Sequence, residues 1–592
     1  MYTEVKSYQI IIQLLKEYGI RHCVLSAGSR NVPFVHSVEE DPFFKCYSVV
    51  DERSAGYFAL GLAQELNEPV VISCTSATAT CNYWPPISEA YYQGVPIVVL
   101  TGDRDPEMLG QHEDQMIDQA GMYDRHVRKS VNLPIIKDDD DYYYCMRLVN
   151  EALLELNHRG RGPVHINVPI KYFSMGFPYA ELPSVTKINR IDWESPDATW
   201  GEYRRKLLSS SKILVVCGQQ SSVSGSLEHA IERFANTFNC AIALELMSNL
   251  HCSHSFNPFI GMDDHYISEK KAQELLPDIV ISFGGNFMSG IKSMLRRNHG
   301  AFEHWIIDKN GEVCDPFKSL SLIFECSPET FFNKMCDGVE DDPNDGVYES
   351  QIEEYLDSIV YPDFPWSNIY AIEKATNLLQ DNAILHMSIN SSIRLSNFFK
   401  VPSSVTCYAN IGTHGIDGCM SSFLGQSVAS PQRMSYLFIG DLSFFYDMNS
   451  LRIRHYGSNV RILLFNNHGG EEFYYNGVWK NEASDLHTTA RHNDRAESWA
   501  VASGFTYLTA SDKESFNSQI ELFMRGISEK PMLFEVFTEM SEDAKATMDF
   551  YELSRPRDIV SEAKRKSKEL VKATVGKEAA VRIAGKFGIN LK

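Results

Sequence analysis

Short, continuously apolar runs recur along the chain, each ending in Gly, Ser, Asp or Asn and each followed by a stretch of helical periodicity. They are HCVLSAG (22–28), PVVISCTS (69–76), VPIVVLTGD (95–103), KILVVCG (212–218), DIVISFGG (278–285), YLFIGD (436–441) and VRILLFNN (460–467). Runs that are apolar at every position belong to strands covered on both faces, and strands alternating with helices form parallel sheets. The pattern therefore predicts an α/β protein in which such a sheet is built more than once. Polar or proline-rich breaks at 177–197 and 338–350 divide the chain into three blocks. The expectation is three doubly wound parallel-sheet domains over 1–185, 186–345 and 346–552. A tail, 553–592, follows; its segment EAKRKSKELVKATVGKEAAVRIAGKFG is basic with helical periodicity and stands outside the core.

The opening MYTEVKSYQIIIQLLKEYGI has a short apolar centre closed by Lys16 and Glu17 and no small-residue cleavage site, so it reads as an amphipathic first helix rather than a signal. No apolar run reaches the ~18 residues that span a bilayer. A chain of 592 residues exceeds what one core supports. Its 55 Lys and Arg against 77 Asp and Glu, a net charge of -22, disfavour nucleic acid or anionic lipid as general partners. Thirteen cysteines without a CxxC pair point to reduced thiols and a cytoplasmic location. His251, Cys252 and His254 lack a second ligand pair for a metal, CGQQSSVSG (217–225) lacks the spacing of a dinucleotide loop, and Asp138–Asp141 reads as a solvated helix start.

Candidate chemistry lies at two strand ends. Ligands of parallel sheets bind at the carboxyl ends of strands, where Asp441 and the pair Asn466, Asn467 fall, 26 positions apart for Asp441 and Asn467. Asp441, the Asn467 side chain and the Gly469 carbonyl offer oxygen ligands that suit Mg²⁺ shared with a diphosphate. Gly469 and Gly470 let the backbone approach closely. Either dipeptide alone would be an ordinary strand-end turn.

Together, Gly-Asp and Asn-Asn at this spacing resemble the thiamine diphosphate (ThDP) motif, and VVDERSAGYFALGLA (49–63) resembles the segment that carries the activating glutamate, here Glu52. The resemblance implies the ThDP-enzyme arrangement of pyrimidine-binding, middle and diphosphate-binding domains. It also implies that Glu52 bonds N1′ of the aminopyrimidine. LSAGSRNVPF, SCTSATA, LTGDRDPEM, DQMIDQAGMYDRHVRKSVNLP and GDLSFFYDMN are similar to 2-succinyl-5-enolpyruvyl-6-hydroxy-3-cyclohexene-1-carboxylate synthase, which decarboxylates 2-oxoglutarate and adds the enamine to isochorismate. On that likeness Ser29, Arg30, Arg104, Gln115 and Arg394 line the substrate side, Thr75, Ile416 and Ser443 join Glu52 in holding ThDP, and Asp441, Asn467 and Gly469 hold Mg²⁺. The family pattern further implies a homodimer or homotetramer with the site at the subunit interface, acting on a small 2-oxo acid donor and a carbonyl or enone acceptor.

Three positions depart from the family pattern. Ile411 stands where a second carboxylate-binding arginine is expected, Glu472 stands where an apolar wall residue is usual, and Lys292 lies one place late in the middle block. The reading is a decarboxylating carboligase with an altered substrate pocket. The alternatives are the menaquinone-pathway synthase itself, an acetolactate-synthase-like enzyme and a catalytically inactive binding protein on the same fold.

Overall fold

The computed structural model describes residues 1–172, 175–220, 223–262, 267–339, 345–475 and 486–553. The tail from 554 on and the centre of the 338–350 break lie outside the described residues. The strands fall in three sheets with parallel pairing, and the chain divides into two compact units, one of 1–195 with 303–326 and one of 196–302 with the residues from Ser327 on.

The first unit is built on β1 (His22–Leu25), β2 (Lys45–Ser48), β3 (Val70–Cys74), β4 (Ile97–Asp103), β5 (Ser130–Asn132) and β6 (Val164–Pro169), in the order β2-β1-β3-β4-β6-β5. Its strands explain the continuous apolar runs. Cys23, Leu25, Val71, Val98 and Leu100 enter one buried cluster, with helices Lys6–Glu17 and Asp139–Leu154, while Val24, Val70, Ile72, Ile97 and Val99 enter another, under helix Glu52–Leu66. Alternate residues point to opposite faces, and both faces are covered. The opening helix is amphipathic, as expected: Tyr8, Ile10, Ile11, Ile12, Leu14 and Leu15 are all fully buried, while Lys6 and Glu17 are exposed and Lys16 pairs with Asp41 at 2.7 Å. The acidic run behaves as expected, with Asp138 capping its helix by accepting from the Asp141 amide at 2.9 Å.

Seven strands follow in the chain, β7 (Asn189–Asp192), β8 (Ile213–Cys217), β9 (Cys240–Leu244), β10 (Ser255–Phe256), β11 (Ile279–Phe283), β12 (Glu303–Ile307) and β13 (Leu320–Glu325). The first unit holds β12-β13-β7 and the second holds β10-β9-β8-β11. The second unit also holds β14 (Ile384–Met387), β15 (Thr406–Tyr408), β16 (Ser435–Gly440), β17 (Val460–Asn466), β18 (Thr506–Ala510) and β19 (Met532–Phe537), ordered β15-β14-β16-β17-β19-β18. Counted from its own first strand, this is the order of the first sheet, although no repeat is visible in the sequence. In both, the direction of winding reverses between the first and third strands, the place where doubly wound sheets open a crevice at their carboxyl ends.

Among the described residues, no helix is long and apolar enough to cross a membrane, and no group of three His, Cys, Asp or Glu side chains could hold a metal ion. All thirteen cysteines are free. The Cys252 thiol donates to Glu232 at 3.1 Å and His254 meets Glu349 at 2.7 Å.

Candidate active site

In the first unit, the segments that follow β1, β3 and β4 converge. The loop after β1 brings Ser29 and Arg30, and it approaches β3 so closely that a Cβ on Gly28 would lie 2.3 Å from the Thr75 Cβ. Thr75 Oγ1 accepts from the Arg30 amide at 3.2 Å, and the Arg30 carbonyl accepts from the Tyr8 hydroxyl at 2.9 Å. Arg104 leaves the end of β4, pairs with Glu113 at 3.0 Å and reaches Gln115 Oε1 at 3.5 Å. Burial, and then the neighbouring Arg104 charge, pull the Arg30 guanidinium down from its ordinary value. Ser29 is exposed, Arg30 is half-buried and Thr75 is buried. The four residues assigned to substrate here, Ser29, Arg30, Arg104 and Gln115, thus share one loop cluster.

A buried network fixes that cluster from below. Asp103 accepts from the Arg104 amide at 2.7 Å and from Asn167 Nδ2 at 2.8 Å, and burial pushes its carboxyl up. Gln119 donates to Asn167 on β6 at 2.8 Å and to the Gly102 carbonyl on β4 at 3.1 Å, and accepts from the Ala77 amide at 3.0 Å, tying the loop after β3 to the ends of both strands. Ala77 and Gln115 have φ of 67° and 53°, left-handed backbone in residues other than glycine. Such strain concentrates at sites whose surroundings over-determine it.

Glu52 opens helix Glu52–Leu66, just after the capping Asp51, and accepts from Asn82 Nδ2 at 3.4 Å. It is half-buried, and the Cys74 and Tyr83 groups that lie deeper are pushed well up by burial, with the Glu52 charge adding to both. The carboxylate thus lies close enough to these two buried groups for its charge to act on them.

In the second unit, Asp441 and Asn467 follow the adjacent, paired strands β16 and β17. Asp441 is buried; it accepts from its neighbour Leu442 at 2.6 Å and from the Gly469 amide at 3.0 Å. Gly469 has φ of 151°, and a Cβ there would lie 2.6 Å from the Thr489 carbonyl, so both conformation and space call for glycine. Ser443 donates to the Ile416 carbonyl at 2.7 Å and so holds the loop whose half-buried Ile416 packs on the core.

The two asparagines divide their work. Asn466 is structural: its amide donates to the buried Glu535 at 2.6 Å and to the Asp494 carbonyl at 2.9 Å. Asn467 donates to Glu471 at 2.7 Å and to Asp543 at 2.9 Å. Carboxylates only accept, so these two groups fix which way the amide points and leave Oδ1 as its ligand atom. Glu471 also receives Asn368 and Ser391, and burial pushes the Asp543 carboxyl up to about 6. His492 Nε2 stands 3.2 Å from Asp441 Oδ2, at ion-pair distance, and the Asp441 carboxylate pushes the imidazole up.

These groups fit a divalent cation. One buried carboxylate and one oriented amide oxygen on neighbouring strand ends form the hard oxygen set that Mg²⁺ takes. Glu471, Asp543, Asn368, His492 and Glu113 were not singled out by the sequence. Of these, only Glu471, in NNHGGEEF, had a visible signal.

The three departures resolve differently. Ile411 is fully buried in the core. Glu472 is half-buried at the start of helix Glu472–Tyr475; burial pushes its carboxyl up, and the nearby Arg394 charge partly offsets this. Lys292 donates to the Phe287 carbonyl and lies over the Phe287 ring at 4.8 Å, a local packing role.

Residues 5–122 match the thiamine pyrophosphate enzyme N-terminal TPP-binding domain. The chain is 35% identical to 2-succinyl-5-enolpyruvyl-6-hydroxy-3-cyclohexene-1-carboxylate synthase of Bacteroides fragilis over 567 residues, covering 93% of this chain and 99% of the relative. It is 35% identical to the synthase of Bacteroides thetaiotaomicron over 559 residues, again 93% and 99%. With the synthase of Flavobacterium johnsoniae it shares 30% over 567 residues, covering 92% and 98%. With that likeness running through nearly the whole of both chains and a ThDP-binding domain at its start, the chain belongs to the 2-succinyl-5-enolpyruvyl-6-hydroxy-3-cyclohexene-1-carboxylate synthase family of ThDP-dependent, carbon–carbon bond-forming enzymes.

Proposed function

We propose that this protein is a ThDP- and Mg²⁺-dependent carboligase of the cytoplasm that decarboxylates a 2-oxo acid and joins the remaining acyl unit to an acceptor less anionic than isochorismate. The observation that carries the acceptor half of this reading lies on one wall. Glu472 sits within reach of the Arg394 charge, and Ile411, in place of a second arginine, is sealed in the core. A wall of that composition keeps one cation for a carboxylate and sets a carboxyl group beside it.

When bound, ThDP supplies the electron sink for loss of CO₂. Glu52 would bond N1′ and hold the proton there, while Asp441, Asn467 Oδ1 and the Gly469 carbonyl would hold Mg²⁺. Thr75, Ile416 and Ser443 would shape the cofactor's bed. Arg30, Arg104 and Arg394 would fix the donor carboxylate, which a guanidinium fork matches in geometry, with Ser29 and Gln115 beside them. The working form is a homodimer or homotetramer in which subunits complete one another's sites; a fully active monomer by analytical ultracentrifugation contradicts it.

The experiment is a panel of 2-oxo acids scored for CO₂ release, with and without EDTA. Release from at least one 2-oxo acid that EDTA abolishes is expected. No release from any member leaves the binding-protein reading. The likeness over 93% of the chain to proteins named as the synthase favours a second reading, the same reaction with isochorismate as acceptor. Efficient formation of the succinyl-cyclohexene product establishes that one.

A further inference from the structure

The first unit holds two arginines close together by its own backbone. The Arg30 segment lies flat on the end of β4, where a Cβ on Gly102 would stand 2.8 Å from the Arg30 carbonyl oxygen, and Arg104 follows two residues later. Like charges brought together in this way need a counter-charge, and Glu113 supplies it. Arg104 Nη1 donates to Glu113 Oε1 at 3.0 Å, and the Glu113 charge also partly offsets the burial and the Arg104 charge that lower the Arg30 guanidinium. One carboxylate thus acts on both cations.

The pairing leaves much of the Arg104 fork unused. A guanidinium carries five N–H donors that fit a carboxylate two at a time, and Glu113 accepts from one of them. Nη2 reaches Gln115 Oε1 at 3.5 Å, beyond the usual hydrogen-bond range, and the buried Nε has no hydrogen-bond partner among the described residues. The Arg104 side chain is 15% exposed and the Glu113 side chain 39%, so the acid can be rehydrated where the base cannot. The backbone on either side of Glu113 is turned, with φ of 59° at His112 and 53° at Gln115, and the Gln115 carbonyl accepts from Ser76 at 3.0 Å. Glu113 therefore reaches Arg104 from a loop that is anchored to the end of β3.

We infer that Glu113 is a resident competitor for the substrate's carboxylate: it occupies the fork of Arg104 in the unliganded protein, a donor carboxylate binds by displacing it, and its charge selects against donors that carry a second carboxylate. Two guanidiniums and one carboxylate leave one positive charge unmatched, which suits a single anionic group. The displaced Glu113 stays tethered nearby, so it repels whichever anion takes its place, and a dianion more than a monoanion. The inference rests on the assignment of Arg30 and Arg104 to the donor carboxylate, and it names the residue that sets donor charge there.

The test is calorimetric titration of the holoenzyme, loaded with ThDP and Mg²⁺ at low ionic strength, with glutarate and with pentanoate. These are a dicarboxylate and a monocarboxylate of equal chain length, and neither has a 2-oxo group to react. Glu113→Gln and Glu113→Ala should each bind glutarate about threefold tighter than the unsubstituted chain, the size of a partly exposed ion pair, and pentanoate by a smaller factor. A salt bridge that merely braced the loop has the opposite sign, since its loss would loosen Arg104 and weaken both anions. Unchanged or weaker glutarate binding in both variants, or an equal gain for the two acids, overturns the inference. Arg104→Ala tests the underlying assignment separately: it should weaken glutarate binding about tenfold or more and abolish the gain when combined with Glu113→Gln. Glutarate affinity indifferent to Arg104→Ala would strike the carboxylate site itself, and the inference with it.

Discussion

Replacing Glu471 with glutamine tests the claim that Asn467 works as an oriented ligand. Glu471 is 3% exposed and accepts from Asn467 at 2.7 Å, from Ser391 at 2.6 Å and from Asn368. Glutamine keeps the shape but turns one acceptor oxygen into a donor, so at least one of the three donors then faces an NH₂. Hydrogen bonds to charged groups contribute about 1.5–3 kcal/mol each, and a buried donor left unmet costs about 1–3 kcal/mol, so a loss of roughly 2–4 kcal/mol in unfolding free energy follows. The more specific effect is on the metal. With its amide half released, Asn467 no longer presents Oδ1 in one place, and loss of such a supporting group lowers metal affinity about 10–100-fold. The assay is calorimetric titration of Mg²⁺ into metal-stripped protein at saturating ThDP, with thermal unfolding in EDTA run alongside. A lowered melting temperature with Mg²⁺ affinity unchanged within about twofold would refute the reasoning, leaving Glu471 a core residue only.

Other substitutions probe separate parts of the account. Glu52→Gln should bind ThDP near-normally but exchange the cofactor's C2 proton very slowly by NMR; unchanged exchange removes Glu52 from the mechanism. Gly28→Ala places a Cβ 2.3 Å from the Thr75 Cβ and should destabilise by about 1–3 kcal/mol in urea unfolding, an unchanged midpoint denying the tight approach of the two loops. Burial pushes Asp315 up, but the hydrogen bond and charge of His304, the Leu320 amide and the Tyr143 hydroxyl outweigh it and hold the carboxyl at about 2. A depressed carboxylate stabilises the fold above its unfolded pKa, so roughly 2 kcal/mol should be lost as pH falls from about 4 through about 2. Asp315→Asn should flatten that part of the stability profile, and an unflattened profile places the acid sensitivity elsewhere.

What was legible in the sequence followed from burial and from chemistry carried within one segment. Val70, Val71 and Ile72 are apolar in succession because helices cover both faces of their sheet, and that pattern survives in a single chain. Asp441 and Asn467 were legible because each directly follows an apolar strand run and the two strands pair side by side. Their supports were not legible: Asn368 lies 103 positions from Glu471 and Asp543 lies 76 from Asn467, so only folding brings them together. The shared strand order of the first and third sheets was hidden for a related reason, since order depends on which strands pair and not on residue identity. Ile411 shows the limit of position-by-position likeness. At the position where the family likeness leads one to expect a carboxylate-binding arginine, the Ile411 side chain is sealed in the core.

The most direct test of the central claim is a competition for the acyl unit of 2-oxoglutarate between isochorismate and an uncharged aldehyde at equal concentration, with products quantified by mass spectrometry. Loss of one charge-assisted carboxylate contact, about 1.5–3 kcal/mol, predicts that the isochorismate adduct forms at least ~10-fold less than the aldehyde adduct. Predominance of the succinyl-cyclohexene product would contradict the account and make the enzyme a synthase of the same specificity as its relatives.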